Sequence, residues 1–390
     1  MAGEIRVSLE PLVTLSNHLT STFVAREREV VAILAGLASG EPVFLCGPPG
    51  TAKTALVEEV ARCLNARYFY YLLTRFTEPD ELLGPLNVAA LREGRWERVS
   101  ENRLPTADIA FLDEVFKAGS AILNTLLDII LNRRVLNGTT YVQLPLLALY
   151  TASNEVTADA DLAAFYDRLL IRVFVNHVPD HMLEDLLVRG VALDTRAPRR
   201  RPQVSVEYVK RLQAFTKARA RLVAGDSALR SKVADALLAL KEKGLQLSDR
   251  RKVKLLKVFA AVSTVLGEES PSVDSLAEAL RLVAPHDEDE LRKVEEVIVE
   301  KNLSSVNLTA LHVVMEEAEK RVESALKALK SEALTVKELN DLEAIYAQLS
   351  SVYRQIPNNL ATYSLRVKVY GVLEGLKKVL SAAGIRVGGQ

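Results

Sequence analysis

Apolar residues follow two different spacings along the first half of the chain. Short continuous apolar runs lie at residues 42–46, 68–73, 109–112, 146–152 and 173–175. Runs of this length bounded by polar turns are typical of buried strands. Between them, apolar residues recur at intervals of three and four, as in amphipathic helices. This alternation predicts an α/β fold with a doubly wound parallel sheet of five strands and a ligand site beyond the carboxyl ends of the strands.

The second half of the chain has helical spacing throughout. Residues 203–285 predict a helical lid domain of four helices, and Ser248 is the expected N-cap of the third helix. Residues 286–390 predict an all-helical domain, either a bundle or an antiparallel coiled hairpin, that serves interaction or assembly. Together with an α/β nucleotide-binding domain over residues 1–195, three domains are expected.

A turn rich in glycine and proline joins the first predicted strand to its helix. Its residues are Gly47, Pro48, Pro49, Gly50, Thr51, Ala52, Lys53 and Thr54. Glycines let the backbone direct several N–H groups at a phosphate, and the helix amino terminus adds partial positive charge. Lys53 is expected to contact the β- and γ-phosphates, and the Thr54 hydroxyl to bind Mg²⁺. Ala52 replaces the usual glycine, so its φ must be negative or its strain tolerated. The alternative to a phosphate-binding loop is an ordinary Gly-Pro turn that leads into a helix.

Polar side chains end two of the other predicted strands. The strand at 109–112 is followed by Asp113 and Glu114. Beside a phosphate-binding loop, such a pair places one carboxylate near Mg²⁺ and the other near the attacking water. We assign Asp113 to the metal through its water shell and Glu114 to the base that activates water. Asn154 ends a neighbouring strand and either hydrogen-bonds the water or γ-phosphate or simply forms a turn.

The segment before the first strand has the apolar spacing of a helix. Residues 1–40 show this spacing, and Gly40 is the residue expected to end the helix. Val24 on its apolar face is the predicted contact with an adenine base. A helix that only packs against the sheet is the alternative.

Two further segments have the composition of hairpins. Residues 86–104 break the helical pattern and predict an inserted hairpin whose tip carries Trp96, facing a partner or packing back on the surface. Asn137 and Gly138 stand between β-forming residues, which is a strong signal for a tight turn. Residues 135–142 are therefore the second predicted hairpin.

Charge and cysteine content narrow the functional classes. Fifty Lys plus Arg balance fifty Asp plus Glu, so no sequence-wide basic field favours nucleic acid. No apolar stretch has the length of a membrane span, and the amino terminus lacks a signal pattern. With Cys46 and Cys63 as small core residues, a cytoplasmic protein is expected. His177 and His181 are four apart, but Pro179 between them disfavours a metal-binding helix.

These motifs, taken in order, resemble those of the AAA+ ATPases, in particular the MoxR group and its RavA branch. The likeness covers about residues 20–285 and includes the alanine of the phosphate loop. The resemblance implies that Asn154 is sensor 1 and that Arg168 is an arginine finger acting on a neighbour's nucleotide. It also implies that Arg250 is the sensor 2 arginine of the lid, with Arg251 and Arg172 as alternatives.

The same resemblance implies Mg²⁺-dependent hydrolysis of ATP by a ring of identical subunits, most simply a hexamer. It makes residues 86–104 a helix-2 insert and residues 135–142 the hairpin before sensor 1. Its members are thought to remodel or mature a protein client alongside a partner with a von Willebrand factor A domain. Two alternatives remain: a nucleic-acid motor of the helix-2-insert type, and a nucleotide-gated scaffold with little turnover.

Overall fold

A computed structural model describes most of the chain. The described residues are 7–156, 160–195, 200–304, 335–356 and 360–383, with residue 385 and single positions between 314 and 325. They form two compact units, Met1–Val297 and Ile298–Gln390. The second unit begins later than the expected boundary at 286, and the division of the first into nucleotide-binding and lid domains stays a prediction.

The first unit is built on a parallel sheet of five strands. These are β1 (Val43–Cys46), β2 (Tyr68–Leu72), β3 (Ile109–Asp113), β6 (Ala148–Ser153) and β7 (Ile171–Phe174), in the order β2-β3-β6-β1-β7. Every residue of β1 and β6 is buried, as expected for central strands covered on both faces. The predicted parallel sheet is therefore confirmed.

Helices alternate with these strands. They are α1 (Glu10–Thr22), α2 (Glu27–Ser39), α3 (Lys53–Cys63), α4 (Pro79–Leu83), α5 (Val88–Arg92), α6 (Ser120–Asn132), α7 (Ala160–Arg168) and α8 (Leu183–Asp194). Gly40 ends α2 with a left-handed φ of 69°, as predicted. The expected single helix before β1 is wrong, because Ala25, with φ 53°, separates α1 from α2.

Four helices form the predicted lid region. They are α9 (Val206–Gly225), α10 (Ser227–Glu242), α11 (Asp249–Val265) and α12 (Val273–Val283), and α13 (Glu288–Glu300) follows. Ser248 caps α11, as predicted, by accepting a hydrogen bond from the Arg251 N–H at 3.3 Å. Lys254 and Lys257 of α11 both pair with the buried Glu41 carboxylate, at 2.6 and 2.7 Å. The helices therefore pack directly on the segment that leads into β1.

The two segments predicted as hairpins differ in the structure. The second is a hairpin of β4 (Arg134–Asn137) and β5 (Thr140–Gln143), as predicted. The first is only a single antiparallel bridge between Leu86 and Arg98, and the short helix α5 lies inside it. The hairpin prediction over 86–104 is wrong there because the Asn87 side chain accepts hydrogen bonds from two backbone N–H groups and starts a helix.

The described part of the second unit is helical. Its helices Val336–Gln355 and Leu360–Ala382 share a core with Met315, Ala318 and Ala325. Residues 305–313 and 326–334, which belong to the predicted C-terminal domain, lie outside the described residues. Among the described helices, none is long and apolar enough to cross a membrane.

Candidate nucleotide-binding site

The loop after β1 has a constrained backbone. A Cβ atom at Gly47 would lie 2.1 Å from the carbonyl oxygen of Val175, so only glycine fits there. Gly50 has φ 79°, and Pro49 and Gly50 are exposed. Ala52 has φ 65°, so its strain is tolerated rather than avoided, at a cost of about 1–2 kcal/mol. Such a cost at a non-glycine residue is typical of a functional loop.

The lysine and threonine of the loop occupy the first turn of α3. Lys53 is buried and donates hydrogen bonds to the carbonyl oxygens of Gly47 at 2.6 Å and Pro48 at 2.9 Å. Burial lowers the pKa of Lys53, and the neighbouring Asp113 carboxylate opposes that shift. Thr51 also donates to the Pro48 oxygen, at 2.9 Å. Thr54 is half-buried, with its hydroxyl on the same turn as the lysine.

The carboxyl ends of β3, β6 and β1 bring the other predicted residues beside this loop. Burial raises the pKa of Asp113 and the charge of Glu114 adds to the rise, while the hydrogen bond from the Glu114 backbone N–H and the charge of Lys53 lower that pKa. Glu114 has a left-handed φ of 54°, and its Oε1 accepts a hydrogen bond from Asn154 Nδ2 at 2.6 Å. The backbone of Gly47 donates to the Ser153 carbonyl at 3.1 Å. Loop, acidic pair and asparagine therefore form one row along the sheet edge.

A small cavity lies on the other side of the loop. Its volume is about 110 Å³, and it is lined by Val24, Ala52, His177, Arg189 and others from the α1–α2 junction and from α8. Val24 is buried and lies beside the phosphate loop, where the sequence predicted a base contact. Arg189 Nη1 is fixed by the carbonyl oxygen of Ser21 at 3.2 Å. An apolar slot with a few polar groups suits a flat heterocycle.

A second, larger cavity faces the row of polar side chains. It measures about 400 Å³ and lies between Pro48 and Asn154 on one wall and Asp287, Glu288 and Asp289 on another. Glu288 accepts a hydrogen bond from Asn176 at 3.0 Å. The beginning of α13 therefore places negative charge at the mouth of the phosphate site.

Arg168 and Arg250 lie near the amino-terminal end of β7. Arg168 precedes β7, whose first residue Ile171 pairs with Val43 in the parallel register, whereas the loop follows the last residue of β1. Counted along β1 at about 3.3 Å per residue, the start of β7 lies a strand length from the phosphate loop. Arg250 Nη1 lies 3.7 Å from Asp167 Oδ2, so the two arginines are neighbours.

The alternative arginines have structural roles instead. Arg251 is fully buried and donates to the carbonyl oxygens of Asp167, Leu169, Leu170 and Val283. Both terminal nitrogens of its guanidinium are thus held by backbone carbonyl oxygens inside the core. These contacts favour a structural role over that of sensor 2.

Arg172 is likewise fully buried. It donates to the carbonyl oxygens of Leu169, Tyr166 and Pro285 at 3.0, 2.6 and 3.1 Å, and it stacks 3.7 Å over the Tyr166 ring. A fully bonded guanidinium inside a core serves packing. These contacts likewise favour a structural role for Arg172 over that of sensor 2.

Sequence reasoning missed several residues of the site. Arg26 is buried beneath the loop, and its Nε donates to the Thr51 carbonyl oxygen at 3.1 Å. In the sequence, His177 stands out only as half of a possible metal-binding pair, whereas in the structure it lines the small cavity. The sequence near Arg26 carries no signal for this role, and His177 and Arg189 meet the loop only through tertiary packing.

Comparisons with known proteins agree with this geometry. A family model described as the MoxR domain in the MoxR-vWA-beta-propeller ternary systems matches residues 10–214. Two uncharacterised proteins of Methanocaldococcus jannaschii are similar to this chain. The first is 36% identical over 72% of this chain and 73% of its own length. The second is 32% identical over 88% of this chain and 86% of its own length. The chaperone MoxR1 of Mycobacterium tuberculosis is 30% identical over 30% of this chain and 31% of its own.

One solved structure is similar in fold. The crystal structure of a protein from Cytophaga hutchinsonii, described as a candidate ATPase, superposes with a TM-score of 0.60 at 17% sequence identity. It covers 74% of this chain and 94% of that one. At this identity the likeness concerns the fold alone.

Proposed function

Because the chain belongs to the MoxR domain family of the MoxR–vWA–β-propeller systems and has the α/β fold of AAA+ ATPases, we propose that it hydrolyses ATP with Mg²⁺ to remodel a protein client. The observation that carries this proposal is the row of polar groups along one sheet edge. There, the strained phosphate loop, Asp113, Glu114 and Asn154 lie side by side. Reactive groups on neighbouring strand ends are the usual arrangement for ligand chemistry in such sheets.

The donor set fits a nucleotide triphosphate and Mg²⁺. The backbone N–H groups of residues 47–54 and the ammonium of Lys53 suit phosphate oxygens. The Thr54 hydroxyl and the Asp113 carboxylate are oxygen ligands of the kind that Mg²⁺ prefers. When bound, Mg²⁺ neutralises charge on the β- and γ-phosphates. Val24 and the small cavity would hold the base, and the choice of ATP as the nucleotide follows from the family.

Glu114 is the proposed base. Its carboxylate accepts the Asn154 amide hydrogen at 2.6 Å and lies 3.3 Å from Lys117 Nζ. These two donors keep the carboxylate oriented. Glu114 is thereby positioned to take a proton from water, while Asn154, as sensor 1, fixes the angle at which that carboxylate points.

Arg168 and Arg250 would act on a neighbouring subunit. Both lie near the amino-terminal end of β7, whereas the loop follows the carboxyl end of the neighbouring β1, an arrangement that favours contact with phosphate across an interface between copies of the chain. Pairing of Arg250 with Asp167 at 3.7 Å holds the two cationic groups together. This geometry supports a homo-oligomeric ring, for which six subunits is our proposal, with finger and sensor 2 both supplied in trans.

The client and the partner follow from the family rather than from the site. The description of the family names vWA and β-propeller components in ternary systems with the MoxR domain. We therefore propose a von Willebrand factor A domain partner and a chaperone-like role. Membership of the RavA-like branch, supported by the Ala52 loop and the sequence around Asp167, stays a prediction, as does the cytoplasmic location.

Turnover measurements on the purified full chain test this function. We expect ATP hydrolysis in Mg²⁺, loss of hydrolysis in EDTA, and stimulation by an unfolded model polypeptide but not by single-stranded DNA. Light scattering with ATP should give the mass of a ring. Stimulation by DNA alone, with a steep salt dependence, would instead support the nucleic-acid motor, and a monomer that hydrolyses ATP would exclude the trans arginines.

Filling the small cavity should weaken nucleotide binding. Gly190 lines it, and a Cβ atom there meets nothing within 4 Å, so Gly190→Leu adds a large side chain at the cavity wall without a clash at the Cβ. We expect ATP to bind about tenfold more weakly or worse, because a base contact of this kind contributes about 1–3 kcal/mol. Titration of a fluorescent ATP analogue measures the affinity.

The control for this prediction is Gly225→Leu. A Cβ atom at Gly225 also meets nothing within 4 Å, and Gly225 is the last residue of α9, which does not line the cavity. Gly225→Leu should leave nucleotide affinity unchanged. Equal weakening by both variants would indicate a general effect of leucine and would remove the cavity from the nucleotide site.

A further inference from the structure

A cavity separate from the nucleotide site opens beside the β4–β5 hairpin. It measures about 370 Å³ and lies between α4, α6 and the hairpin, with Leu83, Leu136 and Tyr141 among its lining residues. Leu136 and Tyr141 are 51% and 55% exposed. Large apolar side chains left exposed around a concavity mark a place where another molecule binds.

The charges around this cavity are already neutralised within the chain. Arg98 pairs with Asp80, and Arg134 Nε lies 3.4 Å from Asp128 Oδ2. The Arg134 guanidinium also stacks 3.9 Å above the Tyr141 ring. Phosphate recognition needs cations that are free to pair with it, whereas an apolar surface with internally paired charges suits a polypeptide.

The outer edge of β5 is open. All four residues of β5 are exposed, and the described residues pair it only with β4. The backbone N–H of Leu144 donates to the Arg133 carbonyl at 2.7 Å, which fixes the alternation of hydrogen-bonded pairs. By that alternation, the N–H groups of Tyr141 and Gln143 point away from β4. Such an edge is a template for an added strand.

The hairpin is held in place by the neighbouring segment around α5. The Arg98 backbone N–H donates to Asn137 Oδ1 at 3.0 Å. At the turn, a Cβ atom on Gly138 would lie 2.2 Å from the Trp96 carbonyl oxygen, so the two backbones are in direct contact. A braced edge loses little freedom when a ligand binds, which favours affinity.

We propose that an extended polypeptide segment binds along β5 as a third strand and places a large apolar or aromatic side chain in the cavity. Backbone hydrogen bonds to Tyr141 and Gln143 would give affinity, and the cavity would give selectivity for the anchoring side chain. This inference rests on the proposed function in one respect only, that the client is a polypeptide.

Fluorescence anisotropy with the full chain tests the proposal. The probe is a fluorescein-labelled synthetic peptide in which leucine and tyrosine alternate with serine. Gln143→Pro removes an outward N–H while sparing the bonds to β4, and it should weaken binding about tenfold or more, as should Leu136→Ser at the anchor cavity. Gln143→Ala keeps the N–H group and should bind like the unaltered chain.

Leu238→Ser is the matched control for the anchor, because Leu238 is 60% exposed on α10, far along the chain from the hairpin. It should not change peptide affinity. Equal affinity for Gln143→Pro and Gln143→Ala would overturn the added strand, and unchanged binding by Leu136→Ser would overturn the cavity. Binding of a labelled single-stranded DNA in place of the peptide would overturn the choice of partner.

Basal ATP turnover, measured on the same proteins, separates this inference from the proposed function. Leu136 and Gln143 are remote from the phosphate loop, so both variants should hydrolyse ATP normally. Normal hydrolysis with no effect of the variants on peptide binding would refute this inference alone. Edge-dependent peptide binding by a chain that never hydrolyses ATP would refute the ATPase alone.

Discussion

Replacing Glu114 with glutamine should abolish ATP turnover while leaving ATP binding intact. Glutamine keeps the shape of the side chain and can still contact Asn154, whose amide lies 2.6 Å from Glu114 Oε1, but it cannot accept a proton from water. The loss of a general base lowers turnover by about 10²–10⁴-fold. Phosphate release measures turnover, and titration of a fluorescent ATP analogue measures binding.

Glu155→Gln is the matched control for this prediction. Glu155 is an exposed carboxylate next to Asn154 in sequence, and its removal changes the charge near the site by the same amount. It should hydrolyse ATP at close to the normal rate. Turnover retained by Glu114→Gln would remove Glu114 as the base, whereas equal loss in both variants would point to a long-range effect of charge.

The sheet was predictable because its central strands are fully buried. Every position of β1 and β6 is buried and most of their residues are apolar or small, so the pattern is local and continuous. The polar residues at the carboxyl ends of β3 and β6 could be identified as well, since parallel strand ends meet at one edge. The placement of Asp113, Glu114 and Asn154 beside the phosphate loop thus follows from short stretches of sequence, while their catalytic roles stay predictions.

Other parts of the site depend on packing between distant segments. The small cavity joins the α1–α2 junction, the phosphate loop and α8, and nothing in the sequence near Val24 announces the left-handed Ala25 that forms this junction. The consecutive arginines of α11 are a second case. Successive residues of a helix point in different directions, so Arg251 faces the core while Arg250 lies at the surface. Which of the two faces the core is determined only by how α11 packs on its neighbours.

The mixing of two inactive variants should restore ATP hydrolysis if Arg168 acts across a subunit interface. Arg168→Ala should lower turnover by about 10³–10⁵-fold, the usual contribution of an arginine finger. Its subunits keep the phosphate loop and Glu114, and they lack only the cation. Subunits with Glu114→Gln cannot hydrolyse their own ATP but still carry Arg168, so they can supply it to a neighbouring Arg168→Ala subunit.

The geometry of β1 and β7 favours this outcome for a ring in which Arg168 is the finger. Ile171 pairs with Val43 in parallel register, so the start of β7, which follows Arg168, lies a strand length from the loop of its own chain. Mixed subunits should therefore show turnover that neither variant shows alone, with a maximum at intermediate ratios. Arg250→Ala, the other arginine near this end of β7, should be rescued in the same way, because both side chains flank Asp167.

Arg230→Ala supplies the control for these mixtures. Arg230 is an exposed arginine whose guanidinium contacts only the carbonyl oxygens of Ala224 and Gly225 among its described partners, so its loss should leave turnover unchanged. Restoration in the Arg168 and Arg250 mixtures would mean that each catalytic centre is completed by two arginines from the adjacent chain. If Arg168→Ala alone stays active, or if mixing restores nothing, hydrolysis must be completed within one subunit, and a different cation must face the phosphate loop.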